Sequence, residues 1–587
     1  MSQAPVPAPS ADALPGSRGT WATLAPLLGI LALGAFAYAN SLHGAFAFDD
    51  RIEIRDNVAI RDLGTFLGPA GYRAYPNRFV GYATFALNYR LGGLDPFGYH
   101  LVNLAIHLLA SLLVYRLVRQ ILRTPRVRAS SLASSPGAIA FVAAALFATH
   151  PLGTQAVTYI VQRLTSLTAL LYLLTVSLYL AWRLADAPGR GSTLRRGLLL
   201  ASMLLSALLA VRTKEIAFTL PATLVLIEWL LFPPGGVRRW IGIAPVALVA
   251  LLIPLSWVDL GGTATQVAES ADRVTRLLTS VSRVDYLRTQ SVVLCEYLRL
   301  LAWPSGQNID HDIPIYTSTL APRVLLSLTV LAGLAGLAVW AAWGTRRSSG
   351  RRLDPAWRVV ALGIGWFFVT LAVESSVIPI VDVIYEHRAY LPSVGVFMGV
   401  AVLVGRGFQK AAPAAAPRLT VLTGIALSLL LGSITLQRNA VWADPVSLWS
   451  DAVGKSPNKA RPHQNLGESF DAMGRLDEAE REFRRAVEIQ PGSITARTSL
   501  ATVLQKSGRL GEAEAEYVAA LDLDPGHVPA IFNLADILWR SGRREEAATL
   551  YRRFLEVGPR SGAARSIAAA RAGTGEPPPD PAPPPPR

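Results

Sequence analysis

Residues 46–57 read F-A-F-D-D-R-I-E-I-R-D-N, with the adjacent carboxylates Asp49 and Asp50 about ten residues past the end of the apolar segment Trp21 to Asn40. A run of roughly 20 apolar residues is long enough to cross a bilayer as a helix. Acids just beyond its exit then lie close to the membrane surface, where acid–base chemistry on a lipid-carried substrate would take place. The rest of the chain is read outward from this pair.

With 587 residues and 17% charged side chains, and a mean hydropathy of +0.35, the chain is too apolar for a soluble protein of its size. It reads as a membrane protein. The formal net charge of +15 raises nucleic acid as a partner, but the arginines fall in short clusters between apolar runs, the pattern topology requires. No nucleic-acid partner is expected. A single cysteine, Cys295, excludes an intramolecular disulfide and a cysteine-based metal cluster.

Eleven apolar segments are candidate spans: 21–40, 99–121, 137–152, 164–183, 197–212, 216–232, 240–258, 321–344, 357–374, 390–406 and 419–437. Met1 to Thr20 is a Pro/Ala/Ser-rich lead without the basic region of a signal peptide. Arg123, Arg126 and Arg128 follow the second span, Arg183, Arg190, Arg195 and Arg196 the fourth, and Arg346, Arg347, Arg351 and Arg352 the eighth; Arg238 and Arg239 precede the seventh. These clusters share one side, which the positive-inside rule makes cytoplasmic. Loops 41–98, 153–163, 259–320 and 375–389 and the segment after 437 are then expected on the opposite, extracytoplasmic side.

That last segment is periodic. Pro457, Pro491, Pro525 and Pro559 recur every 34 residues, as do Gly474, Gly508 and Gly542. Ala479–Phe483, Ala513–Tyr517 and Ala547–Tyr551 keep the same register, preceded by Leu466–Gly467, Leu500–Ala501 and Leu534–Ala535. This is the tetratricopeptide pattern, in which small residues let paired helices approach and proline ends the second helix. Trp449 and Ala452 fit a leading half repeat. The fold expected is all-α: a disordered lead (1–20), a polytopic helical membrane domain (21–437), a repeat solenoid (438–571) and a proline-rich tail (572–587).

Charges in the outer loops are the candidates for chemistry. The short turn V-R-T-K-E carries Arg212, Lys214 and Glu215 against the topology rule, which points to a bound phosphate or carboxylate. The alternative is that the two cations neutralise Glu215 and snorkel. In H-P-L-G-T-Q-A-V-T-Y-I-V-Q-R, Pro151 ends one span and Arg163 opens the next; in E-H-R-A-Y-L-P-S, Glu386, His387 and Arg388 precede another. A guanidinium there can hold a lipid phosphate bidentately. Val284 to Leu301 is amphipathic and suits an interfacial helix. The following N-I-D-H-D-I-P carries Asn308, Asp310, His311 and Asp312; with no second ligand cluster it reads as a polar loop lining an acceptor cleft rather than a metal site.

Asp49–Asp50, R-F-V-G-Y-A-T-F-A-L-N-Y (78–89), G-Y-H-L-V-N-L-A-I-H (98–107), H-P-L-G-T-Q-A-V-T-Y-I-V-Q-R (150–163), K-E-I-A-F-T-L-P (214–221) and E-H-R-A-Y-L-P-S-V-G (386–395), with the fused repeats, resemble the transmembrane-and-tetratricopeptide O-mannosyltransferases and their bacterial relatives. The resemblance runs from about 21 to 560. It implies a GT-C type glycosyltransferase that takes a sugar from a polyprenyl-phosphate carrier and passes it, with inversion, to Ser or Thr hydroxyls of proteins. It favours a bacterial inner membrane, with the endoplasmic reticulum second. The chain has few repeats and is shorter than eukaryotic members.

The chemistry fits without the analogy. An alcohol near neutral pH needs a carboxylate to take its proton, and Asp49 or Asp50 can be that base, each raising the other's pKa if partly buried. The departing lipid phosphate gains charge that Arg163, Arg212, Lys214, His387 and Arg388 are positioned to receive. Arg78, His100, Glu215, Asp310, His311 and Glu386 are expected in the acceptor cleft. The scheme requires no metal or other cofactor beyond the lipid-linked sugar. The partners expected are the lipid donor and a protein acceptor held by the repeats. Against it stand an Asp–Asp helix cap that only shapes the loop, a non-enzymatic scaffold for envelope proteins, and a transporter.

Overall fold

A computed structural model describes residues 18–185, 190–255, 281–345, 353–375, 379–558 and 563–573. Most of the expected disordered lead, the proline-rich tail from 574, Pro559 and the cluster from Arg346 to Arg352 lie outside the described residues. Among the described residues every regular element is helical. The chain divides into two compact units: Met1–Gln307 with Ile313–Ala443, and Asp444–Arg587 with the short segment Asn308–Asp312.

In the first unit the longer helices are α1 (Arg18–Ala37), α2 (Phe79–Gly92), α3 (Pro96–Leu122), α4 (Pro136–Thr149), α5 (Arg163–Leu184), α6 (Arg190–Val211), α7 (Leu220–Leu231), α8 (Arg238–Ala250), α9 (Arg283–Ala302), α10 (Pro322–Gly344), α11 (Trp357–Leu371), α12 (Tyr390–Ala411) and α13 (Ala416–Val441). Their starts follow local rules. Asp95 accepts from the Phe97 amide and Pro96 opens α3 at a position that needs no N–H. Close crossings rest on small residues: a Cβ on Gly363 of α11 would sit 2.3 Å from the Gly395 carbonyl oxygen of α12, so both must be glycine for the two backbones to touch.

Each of the eleven expected spans falls on a described helix. Among the described residues six helices are long and apolar enough to cross a membrane, or seven with the bent pair Pro136–Thr149 and Pro151–Val157. The remaining expected spans coincide with shorter apolar helices, such as the 15-residue α11 and the 12-residue α7. At about 1.5 Å per residue these fall short of a hydrocarbon core of about 30 Å. Apolar composition marked each segment, but charged or proline-bearing joints such as Lys214–Glu215 and Pro221 cut the helices. The expected interfacial helix is α9.

The second unit comprises α14 (Pro445–Lys455), α15 (Ala460–Ala472), α16 (Leu476–Ile489), α17 (Ile494–Lys506), α18 (Leu510–Leu523), α19 (Val528–Arg540), α20 (Arg544–Val557) and α21 (Ala563–Ala572). Paired helices bury the small and aromatic residues named above: Leu500, Ala501, Ala513, Tyr517, Leu534, Ala535, Ala547 and Tyr551 are all inside. Gly474, Gly508 and Gly542 have φ of +73°, +79° and +83°, the left-handed turn that ends each first helix with an amide-to-carbonyl bond such as Arg509 N to Leu504 O. One device was not read from the sequence. Arg509 pairs with Glu512 of its own repeat and at 2.6 Å with Glu480 of the one before, and Arg543 pairs with Glu546 and at 2.5 Å with Glu514.

Candidate active site

The connector from His150 to Arg163 builds the site. Pro151 offers no N–H and holds His150 extended, so α4 stops and the chain bends by 52° into short 3-10 and α turns before α5. Backbone groups freed inside an apolar protein must find partners, and distant side chains supply them. Asn103 donates to the carbonyls of Val157 (3.0 Å) and Ile160 (3.2 Å), and Gln307 donates to that of Pro151 (3.0 Å). His150 Nε2 lies 3.1 Å from the Leu301 carbonyl oxygen, and the Thr158 hydroxyl donates to Asn439 at 2.7 Å.

The acid pair is fixed to this connector. Asp50 is buried, and its two carboxylate oxygens accept from the amides of Ala47 (3.0 Å) and Val161 (2.7 Å). It precedes a short π turn, Arg51–Arg55, but its side chain does not cap it; the carboxylate ties the loop to the connector instead. Burial pushes the Asp50 carboxyl up to about 8, against the two amide bonds and with help from the Asp49 charge. Asp49 is half-buried, and its amide donates to the Tyr159 hydroxyl at 3.0 Å. Burial and then the two acids push the Tyr159 phenol well up, so it remains a donor. Phe48, just before the pair, has φ +48°, left-handed backbone that a bulky residue adopts only when its surroundings impose it.

A second set of contacts joins the connector and the start of α5 to a group of cations. Gln155 Oε1 accepts from the His387 amide at 2.8 Å and lies 3.1 Å from its Nδ1, while the imidazole stacks on Tyr385. The neighbouring Arg388 is buried, donates to the Val383 carbonyl at 3.3 Å and covers the Tyr385 ring. Lys214 Nζ is 2.8 Å from Glu374 Oε1 and donates to the Thr165 hydroxyl at 3.0 Å. Although burial works to raise it, Lys214 and Arg388 hold the Glu374 carboxyl below its usual range, with a smaller part from Arg78. Glu374 was not among the residues expected; an acid closing an apolar segment was the signal. Tyr159, Gln155 and Asn103 were missed as well, because neutral polar residues in an apolar run carry no such mark.

Other expected residues have different surroundings. Arg163 is fully buried, and its guanidinium donates to Asn103 Oδ1 (2.7 Å), the Thr84 carbonyl (3.2 Å) and the Tyr99 carbonyl (3.0 Å) over the Phe85 ring. It braces the connector rather than facing a ligand. Arg212 donates to the Pro76 carbonyl at 3.0 Å, and Arg78 pairs with Glu215 at 3.2 Å. His100 Nε2 lies 3.0 Å from the Gly44 carbonyl oxygen beneath the acid loop, and Glu386 accepts from Gln307 at 2.8 Å. Asp310 and His311 belong to the second unit, where Asp310 is clamped by Lys459 and Arg461 at 2.5 Å each. Two cations on one carboxylate hold this aspartate firmly within the second unit. Near Asp49, the Tyr82 hydroxyl donates to Glu53 and stacks on Tyr75 at 3.9 Å.

Tetratricopeptide-repeat family models match residues 464–528 and 504–570. Protein O-mannosyl-transferase Tmtc3 of Drosophila melanogaster is 26% identical over 79% of the chain and 55% of its own length. Tmtc1 of the same fly is 27% identical over 81% and 63%, and mouse TMTC3 26% identical over 80% and 52%. Over about four fifths of its length the chain is similar to protein O-mannosyl-transferases. It spans just over half the length of the first of these relatives. An Archaeoglobus fulgidus oligosaccharyltransferase, solved with a tethered acceptor peptide, aligns with 78% of the chain and 59% of its own at 11% identity and a TM-score of 0.36. Here a unit of apolar helices and the tetratricopeptide repeats occur on one chain.

Proposed function

We propose that this chain is a membrane glycosyltransferase that moves a sugar, mannose by the names of its relatives, from a polyprenyl-phosphate carrier to Ser or Thr hydroxyls of proteins. The observation that carries the reading is the connector. Within residues 150–163 the Val161 amide holds the acid pair and Gln155 holds His387, so one rigid element serves a base and a cation group. Asp49 is the base. Asp50 already spends both oxygens on backbone amides and positions its neighbour, whereas Asp49 is half-exposed.

In the reaction the acceptor hydroxyl oxygen attacks the anomeric carbon from the face opposite the phosphate, and Asp49 takes its proton. The carbon–oxygen bond to phosphate breaks, and its electron pair leaves on the lipid phosphate. Lys214 and Arg388 meet that charge in a poorly hydrated site, where fixed cations are most effective. Before donor binds, Glu374 balances them. One proton and one leaving group move, and the scheme uses no metal for either. The repeats hold the polypeptide acceptor, the usual role of such solenoids.

The test incubates membranes carrying the full chain with synthetic polyprenyl-phosphate mannose and a Ser/Thr peptide, and reads the peptide by mass spectrometry. Wild type is expected to add one hexose, and Asp49→Asn none at equal protein level. A wild type that leaves the peptide unmodified, or an Asp49→Asn variant that works as well, overturns the reading.

A further inference from the structure

A large cavity lies at the other end of the membrane unit from the acid pair. α3 starts near His100, beneath the acid loop, and runs 27 residues to Leu122, about 40 Å. At its far end a cavity of about 1360 Å³ opens between α3 and α5. Its wall is leucine, from Leu112 and Leu113 on α3 and Leu170 and Leu174 on α5, and its mouth carries Arg116, Arg119, Arg123, Arg128, Arg183 and Arg195. Among the described residues no carboxylate lines it. Arg183 is neutralised by Glu228 at 2.5 Å. Arg119 has its Nε buried with no hydrogen-bond partner.

Charge and shape both select the ligand. Five arginines without a lining acid favour an anion, and a buried guanidinium N–H without an acceptor costs free energy until one arrives. A free anion would leave the leucine wall uncovered. From Leu109 to Arg123 the lining runs 14 residues along α3, about 21 Å, deeper than the roughly 15 Å of one hydrocarbon leaflet. The volume exceeds the roughly 300–1,000 Å³ of an ordinary small-molecule pocket. Basic recesses between membrane helices on the cytoplasmic side suit anionic lipid headgroups, and this is the side the arginine pattern assigns to the cytoplasm.

We propose that the cavity binds one anionic diacyl phospholipid, its phosphate among Arg116, Arg119 and Arg123 and its chains along the leucines of α3 and α5. The site is separate from the acid pair and stands whether or not the chain transfers sugar.

The experiment is native mass spectrometry of the full chain in a non-ionic detergent, with palmitoyl-oleoyl phosphatidylglycerol, the matching phosphatidylcholine, or inorganic phosphate. One phosphatidylglycerol is expected to stay bound at least about tenfold more tightly than phosphatidylcholine, and inorganic phosphate at equal concentration is expected not to displace it. A triple Arg116→Gln, Arg123→Gln, Arg128→Gln variant, whose side chains are exposed, should lose about tenfold or more. Leu113→Trp, which fills the wall without changing charge, should lose the adduct too. A double Lys410→Gln, Arg418→Gln variant, outside the cavity, should keep it. Equal binding of the two lipids, an unaltered triple variant, or displacement by inorganic phosphate would each overturn the proposal, leaving arginines that only set topology or a plain anion site.

Discussion

The connector 150–163 and the repeats from α15 to α20 solve the same problem of closing helix ends in opposite ways. In the repeats each end is closed by its own neighbours: a left-handed glycine, an amide bond five residues back, and an arginine that pairs three residues on and with the repeat before. In the connector the partners come from far away, with Asp50 111 residues from Val161 and His387 232 residues from Gln155. Local closure repeats cheaply and tolerates change. Remote closure fixes side chains from distant parts of the chain against one another.

The largest difference should appear on replacing Asp49. Asp49→Asn is expected to cut sugar transfer by about 10³-fold, the scale of a lost general base, with unchanged thermal unfolding; a parallel loss of folding would make the acid structural and erase the contrast. Next comes Asn103→Ala, which strips acceptor or donor from Arg163, Val157 and Ile160 together. About 3–5 kcal/mol of stability should go, read as a lowered unfolding midpoint of the detergent-solubilised chain.

A pH series sharpens the same point. The folded Asp50 carboxyl titrates near 8, above the roughly 3.9 of an unfolded aspartate, so between these values the folded state holds a proton that the unfolded state has lost. Stability of the membrane unit should therefore fall as pH rises from about 4 to about 8, by up to about 1.4 kcal/mol per pH unit. Asp50→Asn should flatten that slope in thermal unfolding at pH 5 and pH 8, and an equally steep slope in the variant would assign it to another group.

In the repeats the effects should be smaller and local. Ala513→Leu overfills a fully buried helix contact and is expected to cost about 1–3 kcal/mol, with hydrogen exchange rising in α17 and α18 first. Arg509→Gln removes surface bridges to Glu480 and Glu512 and is expected to leave the unfolding midpoint nearly unchanged. A clearly lowered midpoint would show that the ladder couples the repeats cooperatively.

Legibility followed this same division. The 34-residue period placed every repeat helix pair, because each contact that defines it joins residues a few tens apart in the chain. Apolar runs marked the helical segments, but hydropathy does not report where Pro151 or Lys214–Glu215 interrupts them. The cationic candidates were visible as charges out of place. Arg163 nonetheless proved to be a buried brace, because a sequence does not reveal how many carbonyls surround a guanidinium.

By itself the sequence determined a helical fold, apolar segments followed by tetratricopeptide repeats, and a loop carrying two adjacent acids, since periodicity, composition and local turn chemistry are properties of short stretches. Only the tertiary structure decided that Asp50 is the buried strut and Asp49 the half-buried acid, that Glu374 faces Lys214, and that Asp310 pairs with Lys459 and Arg461 inside the second unit. Each of those outcomes depends on which distant backbone amide, carbonyl or counter-charge arrives beside the side chain, and burial then fixes its role.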